Sequence, residues 1–198
     1  MVRTGGPGLD VAGLAVTAEA AVVPAHAALA ALQDACVPVA AITAVLHVGH
    51  SDGESVSETI RDVIGAAGCL RTFDVDPRAG GFVTALAVGA SLLGDGDRDG
   101  DGDSERRGIS DAVLITACEP GSGAASIVLA GGSPSGAGAS AISHASSNTI
   151  APYVLRSASP VRGLLDCRAA GRYDVVLVAA DRTSPRTASV RCRLQHWR

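Results

Sequence analysis

The side chains that could do chemistry in this chain are few and widely spaced. Cys118 comes at the end of a predicted strand, directly before Glu119. A thiol there could act as a nucleophile, and the alternative is a core thiol that packs like a small apolar side chain. His144, in the stretch AISHASSN, is a second candidate catalytic side chain, and its alternative is a structural polar role.

Two histidines stand close together in the stretch HVGHSDGE. His47 and His50 flank the end of a predicted strand, and Asp52 and Glu54 follow. The i, i+3 spacing does not place both imidazoles on one face of an extended chain, because side chains alternate along a strand. Since a metal site needs several ligands that converge, we expect no bound metal here.

The acidic segment at residues 94–108 reads GDGDRDGDGDSERRG. Asp95, Asp97, Asp99 and Gly100 match the first six positions of an EF-hand calcium loop. The twelfth position, which should be a bidentate glutamate, is Arg106. Repelling carboxylates and repeated glycines favour a flexible acidic insertion between a helix and a strand.

The elements that position these side chains follow from the periodicity of the apolar residues. Strands are predicted at residues 9–21, 42–50, 69–76, 110–120, 121–132 and 173–182, and residues 187–197 alternate like an edge strand. Helices are predicted at residues 24–36, 55–65, 80–93 and 161–171. An alternation of strands and helices indicates a layered α/β fold with a mostly parallel sheet.

Two of the helices have informative sequences. Ser55 and Glu58 form a capping box, and Val56, Ile60 and Val63 are expected to face inward. The helix at residues 80–93 is apolar on almost every face, which is typical of a helix inside a protein. The predicted edge strand at residues 187–197 would need cover, which suggests a partner.

Composition excludes several functional classes. The chain has 198 residues, 47% of them hydrophobic, and a net charge of −4 with scattered arginines, so we expect one domain and no nucleic-acid partner. No apolar run is long enough to cross a bilayer, so no membrane association is expected, and acidic residues interrupt the N-terminal apolar stretch. The five cysteines lack CxxC spacing and are typical of free thiols in a reducing compartment. We therefore expect a cytoplasmic protein without a cofactor.

Four stretches occur in an order and at a spacing that indicate a family. They are AHAALAALQDACVPVAAITAVLHVGHSDGES, FDVDPRAGGFVTALAVGASLL, DAVLITACEP and GSGAASIVLAGG, over roughly residues 24–132. Together they resemble the N-terminal half of a type III ketoacyl-ACP synthase, a member of the thiolase superfamily. In that family a strand, a turn and a helix read F-D-[IV]-x-x-x-C-[AS]-G-F, and the cysteine carries the acyl group.

The resemblance places a candidate site at the start of the apolar helix. Residues 73–75 match the strand, and Gly81 and Phe82 match the start of the helix, so the nucleophile position falls on Ala79. An alanine cannot form the acyl-enzyme. The resemblance implies that Asp76, Arg78, Gly81 and Phe82 line a remnant substrate pocket, although Asp76 and Arg78 could simply pair with each other.

The family turn GDGAGA corresponds to GSGAAS at residues 121–126, where Ser122 replaces the acidic residue. Family members are about twice as long, and their second half supplies the histidine and asparagine partners. The tail of this chain does not resemble that half. By resemblance we expect a single thiolase-like half over residues 1–198, with a mixed, mostly parallel five-stranded sheet and helices on both faces.

In complete family members two such halves bury their central helices between them. One half alone would expose the apolar helix at residues 80–93. We therefore expect a homodimer or a heterodimer with a full-length ketosynthase, and an acyl carrier protein is a further candidate partner.

Three functional hypotheses follow. The first is a non-condensing, ketosynthase III-like accessory protein of a fatty-acid or polyketide-type pathway, which holds an acyl thioester. The alternative is a divergent acyl-transfer, cyclising or hydrolytic enzyme with a residual acyl tunnel, in which Cys118, His144, Asp76 or Arg78 does the chemistry. The third is a calcium-responsive binding module.

Overall fold

The computed structural model describes residues 9–17, 24–49, 53–67, 71–77, 81–94, 111–119, 123–131, 148–149, 159–180 and 187–195. Its strands are β1 (Leu9–Thr17), β2 (Ile42–Val48), β3 (Arg71–Val75), β4 (Ala112–Glu119), β5 (Gly123–Ala130), β6 (Asn148–Thr149), β7 (Asp174–Ala180) and β8 (Thr187–Leu194). Its helices are α1 (Pro24–Ala35), α2 (Val56–Val63), α3 (Gly81–Gly94) and α4 (Ser159–Ala169). A 3₁₀ turn at Val39–Ala41 leads into β2.

The described strands form one sheet in the order β3-β2-β4-β5-β1-β8-β7-β6. Four of its seven strand pairings are parallel: β2 with β3, β2 with β4, β1 with β8 and β6 with β7. The predicted mixed, mostly parallel α/β class is therefore confirmed. The predicted count of five strands is wrong, because the C-terminal segment adds β8, β7 and β6 beside β1.

Helices cover both faces of the sheet, as predicted. On one face α3 and α4 pack against the odd-numbered side chains of β4 and β5, such as Ile115 and Ile127. On the other face α1 and α2 pack against the even-numbered side chains of the same strands, such as Leu114 and Val128. The α1 contact is close because the helix presents alanines, and a Cβ at Gly13 would overlap the Ala31 carbonyl.

The start of α2 agrees with its capping box, but its inward face differs from the prediction. The Glu58 backbone N–H donates to Ser55 Oγ over 3.3 Å. Ser57, Ile60 and Ile64 are the buried positions, whereas Val63 is 53% exposed. The expectation that Val63 faces inward is therefore wrong by one residue, because the buried stripe of α2 runs through Ile60 to Ile64.

The apolar helix α3 is not left bare. It contacts β2, β3, β4 and β5, and also β7 and β8 from the C-terminal part of the chain. Its exposed positions are the small residues Thr84, Ala87 and Ser91. The expectation that this helix would be exposed in a single half is wrong, because the C-terminal segment supplies cover. Association with a partner stays a prediction, but exposed area on α3 no longer supports it.

The strand β8 was expected at a sheet edge and lies inside the sheet, between β1 and β7. Its alternation is confirmed: Cys192 is buried, whereas Arg191 and Arg193 are exposed. Arg191 pairs with Asp174 on β7, and Arg193 donates to Asp10 on β1 over 3.3 Å. The bond from Arg191 lowers the pKa of Asp174. The charged outer face of β8 therefore needs no covering partner.

Two further observations concern the described residues. None of their helices is long and apolar enough to cross a membrane. The acidic segment at residues 94–108 lies outside the description apart from Gly94, which ends α3. The calcium and insertion predictions for that segment therefore stay predictions.

Candidate functional site

The carboxyl ends of the parallel strands β2, β3 and β4 meet at one edge of the sheet, where α/β proteins commonly bind ligands. Gly49, Asp76 and Cys118 stand at these three strand ends. The Gly49 N–H donates to the Val75 carbonyl over 3.3 Å, which joins the ends of β2 and β3. A ligand-binding site is therefore expected at this edge of the sheet.

The start of α3 reaches the same edge. A Cβ at Gly81 would overlap the carbonyl oxygen of Asp76 and would lie 3.4 Å from Val48 Cγ1. Only a glycine allows the helix to begin this close to the end of β3. The structure therefore gives Gly81 a packing role at the site predicted from the family motif.

The other residues predicted at this site have different placements. Phe82 is 2% exposed and packs in the core on the α3 side of the sheet, while Asp76 is exposed at the end of β3. Arg78 and Ala79 belong to the connection between β3 and α3 and lie outside the described residues, as does His144. The substrate-binding and vacant-nucleophile roles of these positions stay predictions.

A polar row crosses the sheet on its α1/α2 face, and the sequence did not reveal it. Asp74 on β3 pairs in register with His47 on β2, His47 pairs with Thr116 on β4, and Thr116 pairs with Ser126 on β5. His47 is 1% exposed, and Thr116 and Ser126 are fully buried. The polar row thus has buried side chains on three adjacent strands and a carboxylate at one end, which is unusual in an apolar core.

Two hydrogen bonds of Thr116 together favour one tautomer of His47. Its Nδ1 lies 2.9 Å from Thr116 Oγ1, and Thr116 Oγ1 donates to the Leu46 carbonyl over 3.3 Å. Since the hydroxyl proton goes to that carbonyl, the hydroxyl oxygen accepts from Nδ1–H. The lone pair of the neutral imidazole is therefore on Nε2.

The His47 imidazole is neutral at physiological pH. Burial lowers its pKa from 6.5 to about 4, and the carboxylate of Asp74 offsets part of that shift. Asp74 also accepts the backbone N–H of Ser57 over 2.9 Å, so it joins β3 to the first turn of α2. The carboxylate thus has a structural bond as well as an electrostatic effect on the imidazole.

Ser126 has a buried hydroxyl without a hydrogen-bond partner among the described residues. Leaving a buried hydroxyl unpaired costs about 1–3 kcal/mol, so such a group calls for an explanation. A bound water or ligand that accepts from it would provide one.

Cys118 faces the same side of the sheet as the polar row, since it alternates with Ala117, which packs on the α3 side. It is half-buried, whereas Cys167 and Cys192 are buried in the opposite core. Burial raises the pKa of Cys167 and raises the pKa of Cys192 to about 12. Cys36 is exposed at the end of α1.

Metal binding finds no support in the described part of the chain, where no three metal-ligating side chains come together. His47 is buried on the sheet, and His50 lies outside the described residues. The sequence had drawn attention to His47 as a potential ligand. What it could not show was that β2 and β4 are neighbours, which places Thr116 against the imidazole.

Comparison with known proteins gives structural neighbours of low identity. OleA of Xanthomonas campestris, solved with bound lauric acid and lauroyl-CoA, is 18% identical over 55% of this chain and 39% of its own length, with a TM-score of 0.45. The 3-oxoacyl-[acyl-carrier-protein] synthase III of Aquifex aeolicus is 14% identical over 62% of this chain and 54% of its own, with a TM-score of 0.49. A priming β-ketosynthase of a polyketide biosynthetic pathway is 16% identical over 65% and 52%, with a TM-score of 0.48.

The chain thus spans less than two thirds of each of these structures. No protein-family model and no curated protein matches it.

Proposed function

We propose that this protein is a non-condensing, ketosynthase III-like accessory protein of a fatty-acid or polyketide-type pathway that holds an acyl thioester. It acts together with a second copy or with a full-length ketosynthase. The observation that carries the proposal is the F-D-V-x-x-x-A-G-G-F motif at residues 73–82, which joins an edge strand to a buried helix.

The packing of this motif supports the proposal. β3 ends at Val75, and α3 begins at Gly81, pressed against the Asp76 carbonyl. A helix that starts at a strand end directs its first N–H groups, and the positive end of its dipole, toward the preceding turn. A cysteine in such a turn would have a lowered pKa and would be nucleophilic. Ala79 stands between β3 and α3 in the sequence, at the position of the family cysteine, so condensation through an acyl-enzyme has no sulfur there.

The non-condensing role is tested by assaying the purified chain with octanoyl-CoA and malonyl-ACP, with mass spectrometry of the products. We expect no 3-ketoacyl product from the wild-type chain. The Ala79→Cys variant should react faster with iodoacetamide at residue 79 than the matched Ala87→Cys variant, whose new thiol lies on the exposed stripe of α3. Condensation by the wild-type chain would refute the proposal.

Association is tested separately. Light scattering of the purified chain measures a homodimer, and co-purification from the native host with mass spectrometry detects a ketosynthase or an acyl carrier protein. A monomer that retains neither kind of protein would contradict the accessory role.

One observation favours the alternative of a divergent acyl-transfer enzyme. The half-buried thiol of Cys118 stands at the carboxyl edge of the sheet, on the face that holds a neutral imidazole. Turnover of a thioester substrate that is lost in Cys118→Ser would support this alternative over a purely holding role.

A further inference from the structure

The position of Cys118 relative to His47 follows from strand register. His47 pairs with Thr116, and Val48 pairs with Ala117, where the pairing of β2 with β4 ends. If this register is continued by one position, Gly49, which follows β2, falls across from Cys118 on β4. Neighbouring strands lie about 4.8 Å apart. Side chains of His47 and Cys118 point to the same face of the sheet because residues two apart on a strand share a face.

The His47 ring lies over Gly49 on this face. A Cβ at Gly49 would overlap His47 Nε2 and would lie 3.1 Å from Cδ2 and 3.2 Å from Cε1. The imidazole therefore fills the side-chain space above Gly49, the position that the continued register places across from Cys118. Glycine at position 49 makes room for the ring to turn toward the sheet edge.

The nitrogen that faces this edge is the basic one. Because Nδ1–H donates to Thr116 and the Thr116 hydroxyl donates to the Leu46 carbonyl, the lone pair stays on Nε2. A nucleophile is activated by a base and by a third group that orients the base. Cys118, His47 and Thr116 supply a thiol, an imidazole and an orienting hydroxyl on one face of the sheet. Thr116 has the place of the orienting group.

Ser126 adds a donor to this arrangement. Its hydroxyl is buried and lacks a partner among the described residues. Ser126 lies on β5 opposite Thr116, two residues along the strand from Ala124, which is the partner of Cys118. A buried donor that is unpaired in the free protein is available to an oxygen that gains negative charge during acyl transfer. That availability would explain why the unpaired hydroxyl is tolerated.

We propose that Cys118 is a covalent acyl-holding site that takes the acyl group of a CoA or carrier-protein thioester, with His47 as the proton acceptor. This role rests on the proposed acyl-holding function. It assigns the acyl group to one residue, on the face of the sheet opposite α3. Thr116 acts as a positioning residue, and Ser126 donates to the carbonyl oxygen.

The reaction is a thioester exchange. The Cys118 sulfur attacks the thioester carbonyl carbon as the thiol proton passes to His47 Nε2. The tetrahedral intermediate then expels the leaving thiolate, which takes the proton from Nε2. One C–S bond forms and one breaks, so the products are an acyl group on Cys118 and a free thiol, with no oxidant or reductant. Burial makes His47 a weak base, so we expect slow loading rather than rapid turnover.

The loading experiment uses the full chain and octanoyl-CoA, with intact mass and peptide mapping after defined times. We expect one octanoyl group on Cys118, removable by hydroxylamine and absent in Cys118→Ser. Cys36 is the matched control because its thiol is more exposed, and Cys36→Ser should load like the wild type. A parallel arm with octanoyl carrier protein shows which thioester source loads faster.

The roles of His47 and Thr116 are tested by the rate at which variants load the acyl group. His47→Gln should lower the loading rate by about 10-fold, less than the usual 100-fold or more because His47 is a weak base. Thr116→Val should lower it less and shift its pH profile, because the tautomer is no longer fixed. Circular dichroism confirms that each variant is folded, and the iodoacetamide rate at Cys118 gives a second measure that depends on the imidazole.

Three results would overturn this assignment. They are an adduct on Cys36 that follows exposure alone, an adduct that persists in Cys118→Ser, and a folded wild-type chain that takes no octanoyl group from either source. If the chain still associates with a ketosynthase and forms no 3-ketoacyl product, only the role of Cys118 fails. If it condenses or stays unassociated while Cys118 loads, the proposed function fails instead.

Discussion

Acidification is expected to destabilise the fold through the buried imidazole of His47. The residue is 1% exposed, and burial lowers its pKa from 6.5 to about 4. Among the described groups around the ring, β3 contributes the carboxylate of Asp74, which offsets part of that shift, and β4 contributes the neutral Thr116. The first turn of α2 contributes the neutral Ser57, whose N–H binds Asp74.

The change in the free energy of unfolding depends on how many protons the folded and the unfolded chain bind at His47. Between pH 6.5 and about pH 4 the unfolded chain binds a proton at this imidazole and the folded chain does not. The free energy of unfolding is therefore unaffected above pH 6.5 and falls as the pH drops toward 4. With about 1.36 kcal/mol for each pKa unit, the loss is about 2 kcal/mol at pH 5 and about 3 kcal/mol below pH 4.

Urea unfolding followed by far-UV circular dichroism at pH 7.5 and pH 5 measures this loss. His47→Gln keeps a donor for Thr116 but does not titrate, so it should be less stable than the wild type at pH 7.5 and lose about 2 kcal/mol less between the two pH values. His26→Gln, on the exposed side of α1, should keep the wild-type profile. Equal losses in the wild type and His47→Gln would refute the reasoning.

Three further predictions concern packing, backbone strain and charge, each measured by urea unfolding. Gly81→Ala should cost about 1–3 kcal/mol of stability because the new Cβ would overlap the Asp76 carbonyl. Gly131→Ala should cost less, since the atom nearest to its new Cβ lies 3.3 Å away, and equal costs would contradict the overlap. Cys36 has a φ of 51°, which glycine adopts without strain, so Cys36→Gly should stabilise the fold by about 0.5–1 kcal/mol. Cys36→Ala should not stabilise the fold, and a gain in both variants would exclude backbone strain as the cause. Asp34→Asn should cost about 1 kcal/mol of stability because its ion pair with Arg168 is lost, and it should cost less in 1 M salt. A cost that does not depend on salt would contradict this cause and would indicate the hydrogen bond from the Leu14 backbone N–H to Asp34 instead.

Local features of the fold could be predicted from the sequence because their determinants are close together in the chain. The cap of α2 depends on Ser55 and Glu58, three residues apart, and the bond between them is present. The inward face of the same helix was predicted one residue off at Val63, because Val63 and Ile64 are both apolar and only the packing against β2 and β3 chooses between them.

Long-range pairing could not be predicted in the same way. One of the two neighbours of β1 is β8, where Leu9 lies opposite Cys192, more than 180 residues distant along the chain. Alternation in β8 shows which side chains share a face but does not distinguish an edge strand from an interior one. For the same reason the sequence indicated His47 and Cys118 separately and did not indicate Thr116, and only the adjacency of β2 and β4 brings the three together.

The sheet separates the start of α3 from Cys118 and His47. α3 begins at Gly81 on one face, whereas Cys118 and His47 lie on the face covered by α1 and α2. An acyl group attached to Cys118 would therefore lie on the face opposite α3. Because Ala79 precedes α3 in the sequence, loading at Cys118 should be indifferent to substitutions at position 79.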